Sequence, residues 1–243
     1  MARYRPRHSL GRRAVIRHFY RWTRRHFSTR STCAHQKITD AWLIALLLSR
    51  FVFKVPYALI WWSLLREDRH GLPSYTQAYT RSLRLLARLE AAVHSVEHLA
   101  EVIIDSMPLP VCRPKRTKRC AFPGARWGYG TQGDFYGYKL HAWVTTTGKV
   151  VQYVLRPANL HDVTVAYELN RHWAAWGGPK VIGDKGYAAL VSSFPRHPKL
   201  RKRIETVFSQ LVAGQVRSVQ VKTLSGLRLR VVLAVLAHNL TRP

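Results

Sequence analysis

Acidic residues are scarce in this chain: 12 Asp and Glu stand against 40 Lys and Arg in 243 residues, a formal charge of +28 and an isoelectric point near 11.1. A soluble protein so short of carboxylates repels itself unless it meets a polyanion, and nucleic acid is the usual one. Cysteine is almost missing too. Three residues, Cys33, Cys112 and Cys120, form no C-x-x-C and leave an odd count, which indicates neither a disulfide framework nor a zinc site and fits a reducing cytoplasm. Long apolar runs are also lacking. The only membrane candidate, 41–65, is broken by Arg50, Lys54 and Pro56 into uncharged runs of 9 and 11 residues. Both fall short of the ~18 needed to span a bilayer. Two buried helices are expected there instead, the first opened by Thr39 or Asp40, with Trp61 and Trp62 in the core. No secretory signal is visible, because no apolar stretch follows the first charges. What the chain does have is core material, at 47% hydrophobic residues with eight Trp. That excludes a disordered basic tail and points to one main domain with a smaller partner.

Residues 1–35 hold ten Arg and no acid, with Val15, Ile16, Phe19, Tyr20 and Trp22 interleaved. Three readings stand for this basic arm: a helix that orders on a phosphate backbone, an organelle transit peptide, or a solvated and partly disordered segment. After a turn at Gly71-Leu72-Pro73, Ser74 caps a helix over about 75–99 that carries Leu85, Leu89, Ala92, Val96 and Leu99 on one side. Arg81, Arg84 and Arg88 line another side. Residues 36–99 are therefore expected to form a small all-α DNA-binding domain of helix-turn-helix type, the alternative for the Arg stripe being a solvated face.

From 100 onward the pattern changes. Val102, Ile103 and Ile104 read as a strand covered on both faces, stopped by Pro108 and Pro110. A mobile basic loop over 113–126 follows beside Asp105, with Arg113, Lys115, Arg116, Lys118 and Arg119. Gly128, Gly130 and Gly133 match G-x-G-x-x-G literally. A nucleotide fold needs a strand before that motif and a helix after it, and here a basic loop precedes and a strand follows, so the match is rejected. A hairpin turns at Thr146-Thr147-Gly148-Lys149. Asp162, before a helix over 163–176, reads first as an N-cap and second as a metal ligand, with His161 beside it as a possible phosphate or ligand contact. Val181 and Ile182 form a strand that presents Asp184. Gly214 reads as the C-cap of a helix over 201–213, and 224–240 as a further helix. Strand, hairpin, helix, strand, helix implies an α/β sheet with helices packed on its faces.

Three acids resist a mundane role. Asp105 and Asp184 each follow an apolar run, and Glu205 lies beside the stripe Ile204, Val207, Phe208 and Leu211, spaced as one face of a helix. Acids gathered from strand ends and a helix supply the oxygen ligands that hard divalent cations need.

The blocks Asp105-Ser106-Met107-Pro108, Phe135-Tyr136-Gly137-Tyr138-Lys139-Leu140-His141, Pro157-Ala158-Asn159-Leu160-His161-Asp162, Gly183-Asp184-Lys185-Gly186-Tyr187 and Arg203-Ile204-Glu205-Thr206-Val207-Phe208-Ser209 resemble the D-D-E transposases of bacterial insertion sequences. Ala237-His238-Asn239-Leu240 is similar as well. The resemblance covers about 100–243 and, more loosely, 72–86. It implies a mixed-sheet catalytic domain of the ribonuclease-H-like α/β class over 100–243, with Asp105, Asp184 and Glu205 as catalytic acids holding Mg²⁺, for which Mn²⁺ may substitute. It implies double-stranded DNA as partner, both the element's terminal inverted repeats and the target, a homo-oligomer on DNA, no membrane, and a nucleoid-associated place in the cytoplasm. Lys139, Lys185, Arg201, Lys202 and Arg203 are then candidates to seat phosphates near the metals, beside the general basic surface.

In one respect the chain departs from the family. Asp184 and Glu205 are 205 − 184 = 21 residues apart, where relatives carry a longer segment. Residues 188–200, with Pro195 and Pro198, are expected to be an exposed loop, and the helix with Glu205 to dock loosely. An active transposase, a DNA-binding remnant and an RNA-binding basic protein all remain open at this stage, although no RNA-recognition motif is present.

Overall fold

The computed structural model describes residues 11–30, 36–93, 100–130, 133–174, 178–184, 187, 198–217 and 221–242. The first helix, α1 (Arg12–His26), turns Val15, Phe19 and Thr23 inward, and the Thr23 hydroxyl donates to the Ala41 carbonyl at 2.9 Å. Arg12, Arg13, Arg17, Arg21, Arg24 and Arg25 all face solvent. The expected arm is thus, from residue 11, an amphipathic helix docked on α2 (Asp40–Val52). Phe19, with no exposed surface, ties it down. Residues 1–10 and 31–35 lie outside the described residues.

Thr39 caps α2 by accepting from the Trp42 N–H at 3.3 Å. In α3 (Ala58–Asp68) the two tryptophans bury their rings and still satisfy their indole N–H groups, Trp61 on the Leu46 carbonyl and Trp62 on that of Pro73. Ser74 opens α4 (Tyr75–Arg84) in a reciprocal capping box with Gln77, which satisfies two backbone donors at once. The single helix expected over 75–99 is instead two among the described residues. The chain bends at Leu85 (φ −91°, ψ 0°) before α5 (Leu86–Ala91), and residues 94–99 are outside the described set.

The strand beginning at Glu101 does not stop at Pro108. β1 (Glu101–Cys112) runs through both prolines, paired antiparallel along its length with β3 (Gly133–Thr145). It tolerates them because its other side is occupied only over Glu101–Ile103, by parallel β5 (Lys180–Ile182). Beyond Ile103 that side is a sheet edge among the described residues. The Pro108 carbonyl points to it, accepting from Arg217 Nε at 3.0 Å, so the missing N–H of Pro108 removes no ladder bond. Pro110, two residues on, faces the same way.

The opposite side of β3 is shared end to end by β2 (Arg126–Gly130) and β4 (Val150–Pro157). β2 was not expected. It is the Gly128-Tyr129-Gly130 stretch, and Gly128 is needed there because a Cβ would run into the Ala158 carbonyl. Gly137 in β3 fits for the same reason against the Leu109 carbonyl. The glycine-rich run is therefore strand and not a nucleotide loop.

α6 (Asp162–Ala174) lies on one face of this sheet. α7 (Pro198–Ala213) and α8 (Leu224–Leu240) lie on the other. Pro198 starts α7, a position where its absent N–H is harmless, so helix begins inside the segment expected to be loop; residues 188–197 lie outside the described residues. α7 ends in a Schellman turn. Val216 N–H reaches the Leu211 carbonyl and Gln215 N–H that of Val212, with Gln215 in the left-handed region (φ 70°). The glycine, Gly214, sits one residue too early to take that conformation itself. α8 is buried on all sides and packs against α2, α4, α5, α7 and β4. One core thus runs from the helical half through the sheet, across the boundary expected at 99/100. The whole is a mixed five-stranded sheet flanked by helices, the ribonuclease-H-like α/β arrangement.

Candidate active site

Parallel pairing of β1 with β5 sets the centre of the site. Val102 lies beside Val181 and Ile103 beside Ile182. Pairing stops at Ile103 and Ile182, and Asp105 and Asp184 each stand two residues past it; Asp105 alternates with Ile103 onto one face of β1. That face is the one carrying α7, since Ile103 and Met107, on either side of Asp105 in the alternation, enter the core shared with Ile204, Val207 and Leu211. Both carboxylates are half-buried. Asp105 Oδ1 accepts the N–H of Ser106 at 2.7 Å, which fixes its rotamer.

On the opposite face lies a polar cluster that the sequence only hinted at. Ser106, one residue on from Asp105, turns away from it and donates its hydroxyl to Asp162 Oδ2 at 3.0 Å. Lys139 Nζ bonds Asp162 Oδ1 at 2.9 Å. Asp162 is therefore not an N-cap. It is the first residue of α6, and its carboxylate reaches across to β1 and β3 and leaves the helix end to the His161 carbonyl. Lys139 is correspondingly held by this ion pair, only 17% of its side chain being exposed, and is not placed as a phosphate contact. His161 has an exposed ring.

Tyr187, in the G-D-K-G-Y block, is buried beside this cluster, and its hydroxyl makes no hydrogen bond of ordinary geometry among the described residues. Burial pushes its pKa up, and the carboxylates of Asp162, Asp105 and Asp184 add to the effect; the nearby Ser106 hydroxyl opposes it only in part. One neutral phenol thus lies within electrostatic reach of three acids. His141, facing Ser106 across the ladder, is fully buried with neither ring nitrogen bonded. Burial lowers its pKa to about 4, partly countered by Asp162 and reinforced by Lys139 and Arg156. Sequence reading missed Ser106, His141 and Tyr187 as site residues. The available signal was the strand alternation, which sets Ser106 and His141 on the face opposite Asp105.

Glu205 sits on α7 at the flank of the buried stripe, and its side chain is exposed. Among the described residues no three His, Cys, Asp or Glu side chains stand close enough to hold one ion together. Carboxylates such as Asp105 and Asp184 supply the oxygen chemistry that a hard divalent cation takes. Glu205 is not gathered to them in this arrangement. α7 itself is firmly seated, with Ile204 at 1%, Val207 at 0% and Leu211 at 2% exposure, which corrects the expected loose docking.

The basic residues divide. Lys115, Arg116, Lys118 and Arg119 are exposed on a 3-10 helix (Pro114–Arg119) and Arg113 just before it, an ordered element where a mobile loop was expected. They begin beyond Cys112, 112 − 105 = 7 residues along β1 from Asp105, or ~23 Å, and so are not beside it. Arg81 is turned inward, its Nε bonding Asp40 at 2.6 Å and its Nη1 the Ile38 carbonyl at 2.7 Å. Arg84 and Arg88 are exposed, Arg88 stacking over the Phe27 ring. Lys202 and Arg203 are exposed on α7; Lys185 and the Arg201 side chain lie outside the described residues. No helix among the described residues is long and apolar enough to cross a membrane.

β1 and the outer strand β5 run parallel, and each leads to a carboxylate two residues past their paired stretch. Residues 99–194 match the family model described as a transposase DDE domain, and over that stretch the chain is similar to such a domain. The match includes Asp105 and Asp184 and ends before Glu205. No curated protein and no solved structure gives a match. A domain of this family implies DNA as the macromolecule acted upon.

Proposed function

We propose that the protein cuts the ends of an insertion sequence and joins them to target DNA, with Asp105, Asp184 and Glu205 as catalytic acids. The observation that carries this is the match of residues 99–194 to a transposase DDE domain, a stretch in which Asp105 and Asp184 each follow the paired part of β1 and β5 by two residues. The two carboxylates, with Glu205 brought in from α7, would hold Mg²⁺ or Mn²⁺, which supplies a Lewis acid for the scissile phosphate and a lowered pKa for a bound water. The chain's own contribution is to fix the acids. Ser106 N–H orients Asp105, and Asp162 ties β1, β3 and α6 together behind them. Lys202 and Arg203, exposed on the same helix as Glu205, and the basic 3-10 helix are free to meet the DNA backbone.

A second reading is favoured by one observation. Glu205 is exposed and no three-carboxylate group is assembled among the described residues, as in a remnant that binds DNA without cutting it. Nicking of a duplex bearing the element's terminal repeats, with Mg²⁺ present and then chelated, separates the two. Metal-dependent nicking supports the enzyme; tight binding without nicking at any metal concentration supports the remnant. In both cases duplex should outcompete RNA. Affinity should drop ~10³–10⁵-fold between 50 and 200 mM salt if about 6–10 phosphates are neutralised.

A further inference from the structure

The short strand β2 carries its side chains the wrong way round for a core. Its sequence, Arg126-Trp127-Gly128-Tyr129-Gly130, alternates, and the glycines take the packed side. A Cβ on Gly128 would strike Ala158, and one on Gly130 would touch Pro108 and Phe135. The rings take the open side, Trp127 at 48% exposure and Tyr129 at 77%. Trp127 is steadied edge-on by Tyr136 of β3, with ring centroids 5.7 Å apart at 69°, and about half of it still meets water. Single exposed rings are ordinary. Two on one face of a five-residue strand, beside a third, mark a surface that something covers.

The surroundings indicate what covers it. Tyr136 faces Trp127 on one side and Cys112 on the other. The rings therefore lie two strand spacings, about 10 Å, from the end of β1, where the basic 3-10 helix begins. That helix packs on β3. The chain leaving it crosses the same face, where the Pro123 carbonyl accepts from the Tyr138 hydroxyl. Lys115, Arg116, Lys118 and Arg119 are exposed on the helix, and Arg126 is exposed next to Trp127. Asp134, exposed opposite Tyr129, sets a negative charge at the hairpin end and directs a phosphate chain toward the helix. Cations for phosphates and rings for bases are together what a nucleic acid strand requires. The spacing favours an unpaired strand. Residues 127 and 129 are ~6.8 Å apart along β2, about twice the ~3.4 Å between stacked bases of a duplex. Neighbouring bases reach successive rings only when they are drawn apart.

We propose that the outer face of β2 is a stacking surface for unpaired bases of a single DNA strand, with Trp127 and Tyr129 under the bases and the basic 3-10 helix along the phosphates. The choice of DNA rests on the transposase reading, while the stacking surface does not. It gives the protein a hold on opened strands that is separate from the carboxylates.

The test uses the full chain with a short labelled oligothymidylate and a labelled hairpin duplex, followed by fluorescence anisotropy. Trp127→Ala with Tyr129→Ala should weaken oligothymidylate binding about tenfold or more, as for lost base stacks, and leave duplex binding unchanged. The salt dependence should stay as it was, because stacking releases no counterions. Trp127→Phe with Tyr129→Phe should restore the affinity, since a phenyl face also stacks. Lys118→Gln with Arg119→Gln should instead lower the affinity and flatten the salt dependence. Unchanged oligothymidylate affinity in the alanine variant overturns the proposal, and so does an equal loss on duplex. Oligouridylate bound more tightly than oligothymidylate overturns it in favour of RNA. A smaller oligomer in the alanine variant without DNA overturns it in favour of a second copy of the chain covering the rings. Asp105→Asn should keep the single-strand affinity while losing cleavage, so failure of the catalytic reading and failure of this one give different results.

Discussion

The two faces of the sheet are filled in contrasting ways. Toward α7 and α8, β1 and β3 send Ile103, Met107, Leu109, Leu140, Ala142 and Val144 into a core that continues through the whole helical half. Toward α6, a small cluster of Val102, Ile104, Trp143, Val165, Ala166, Val181 and Tyr187 gives way within one residue to charge and hydroxyl: Ser106, Lys139, Asp162 and, buried among them, His141. Asp105 belongs to the first face, and its neighbour Ser106 to the second. A large apolar core gives stiffness without direction. Hydrogen bonds have direction, and here they fix β1 beside Asp105 to β3 and α6.

The largest effect should come from the first face. Asp105→Asn and Asp184→Asn should each abolish Mg²⁺-dependent cleavage with duplex binding kept in a gel-shift assay. Glu205→Gln should do the same only if α7 brings that side chain in on DNA. Near-normal cleavage by Glu205→Gln would leave two strand acids as the working set.

Leu211→Ala, in the α7 seam, should cost about 3 kcal/mol in urea unfolding, as for a buried leucine left as a cavity. Amides of residues 201–213 should be well protected from hydrogen exchange before any DNA is added; rapid exchange there would return α7 to the loosely held helix that the short connection first implied.

The second face should betray itself through pH. The pKa of His141 is depressed in the folded protein, so the unfolded chain binds the extra proton between pH 6.5 and about 4. The sign follows: stability is whole above pH 6.5 and falls as pH drops through that window, by on the order of 3 kcal/mol at most. Around the ring, the Asp162 and Glu168 charges soften the loss, and those of Lys139 and Arg156 deepen it. His238, buried and donating its Nε2–H to the Gly148 carbonyl, shifts the same way. Replacing His141 with Phe should flatten the slope of stability against pH; an unchanged slope would place the titration elsewhere.

Smallest is Tyr187→Phe. Removing a buried hydroxyl that makes no ordinary hydrogen bond should leave stability unchanged or raise it by ~1 kcal/mol. If the phenol also steadies the three acids around it, cleavage should fall in the same variant, a split that a packing role alone does not produce.

Much of this was legible beforehand where local chemistry decides: the Ser74 and Thr39 caps, the buried tryptophans, the hairpin at Gly148, the strand before Asp184 and the helix from Leu224 to Leu240. The misreadings share a cause. Pro108 and Pro110 end a strand only if both its sides are paired, and Asp162 caps its helix only if nothing better is in reach. Arg81 looked like part of a DNA-facing stripe until Asp40, 81 − 40 = 41 residues earlier, came to lie against it. Each depends on a neighbour distant in sequence, and propensity and spacing carry no record of that neighbour.

The burial of α8 has a bearing on how the chain reaches this state at all. Its principal partner α2 ends at Val52 and α8 begins at Leu224, 224 − 52 = 172 residues later. Until residue 240 has left the ribosome, the sides of α2 and of the sheet that meet α8 stay uncovered. Contacts so remote in sequence make for slow folding, and the half-made chain is sticky and strongly cationic amid the cell's nucleic acid.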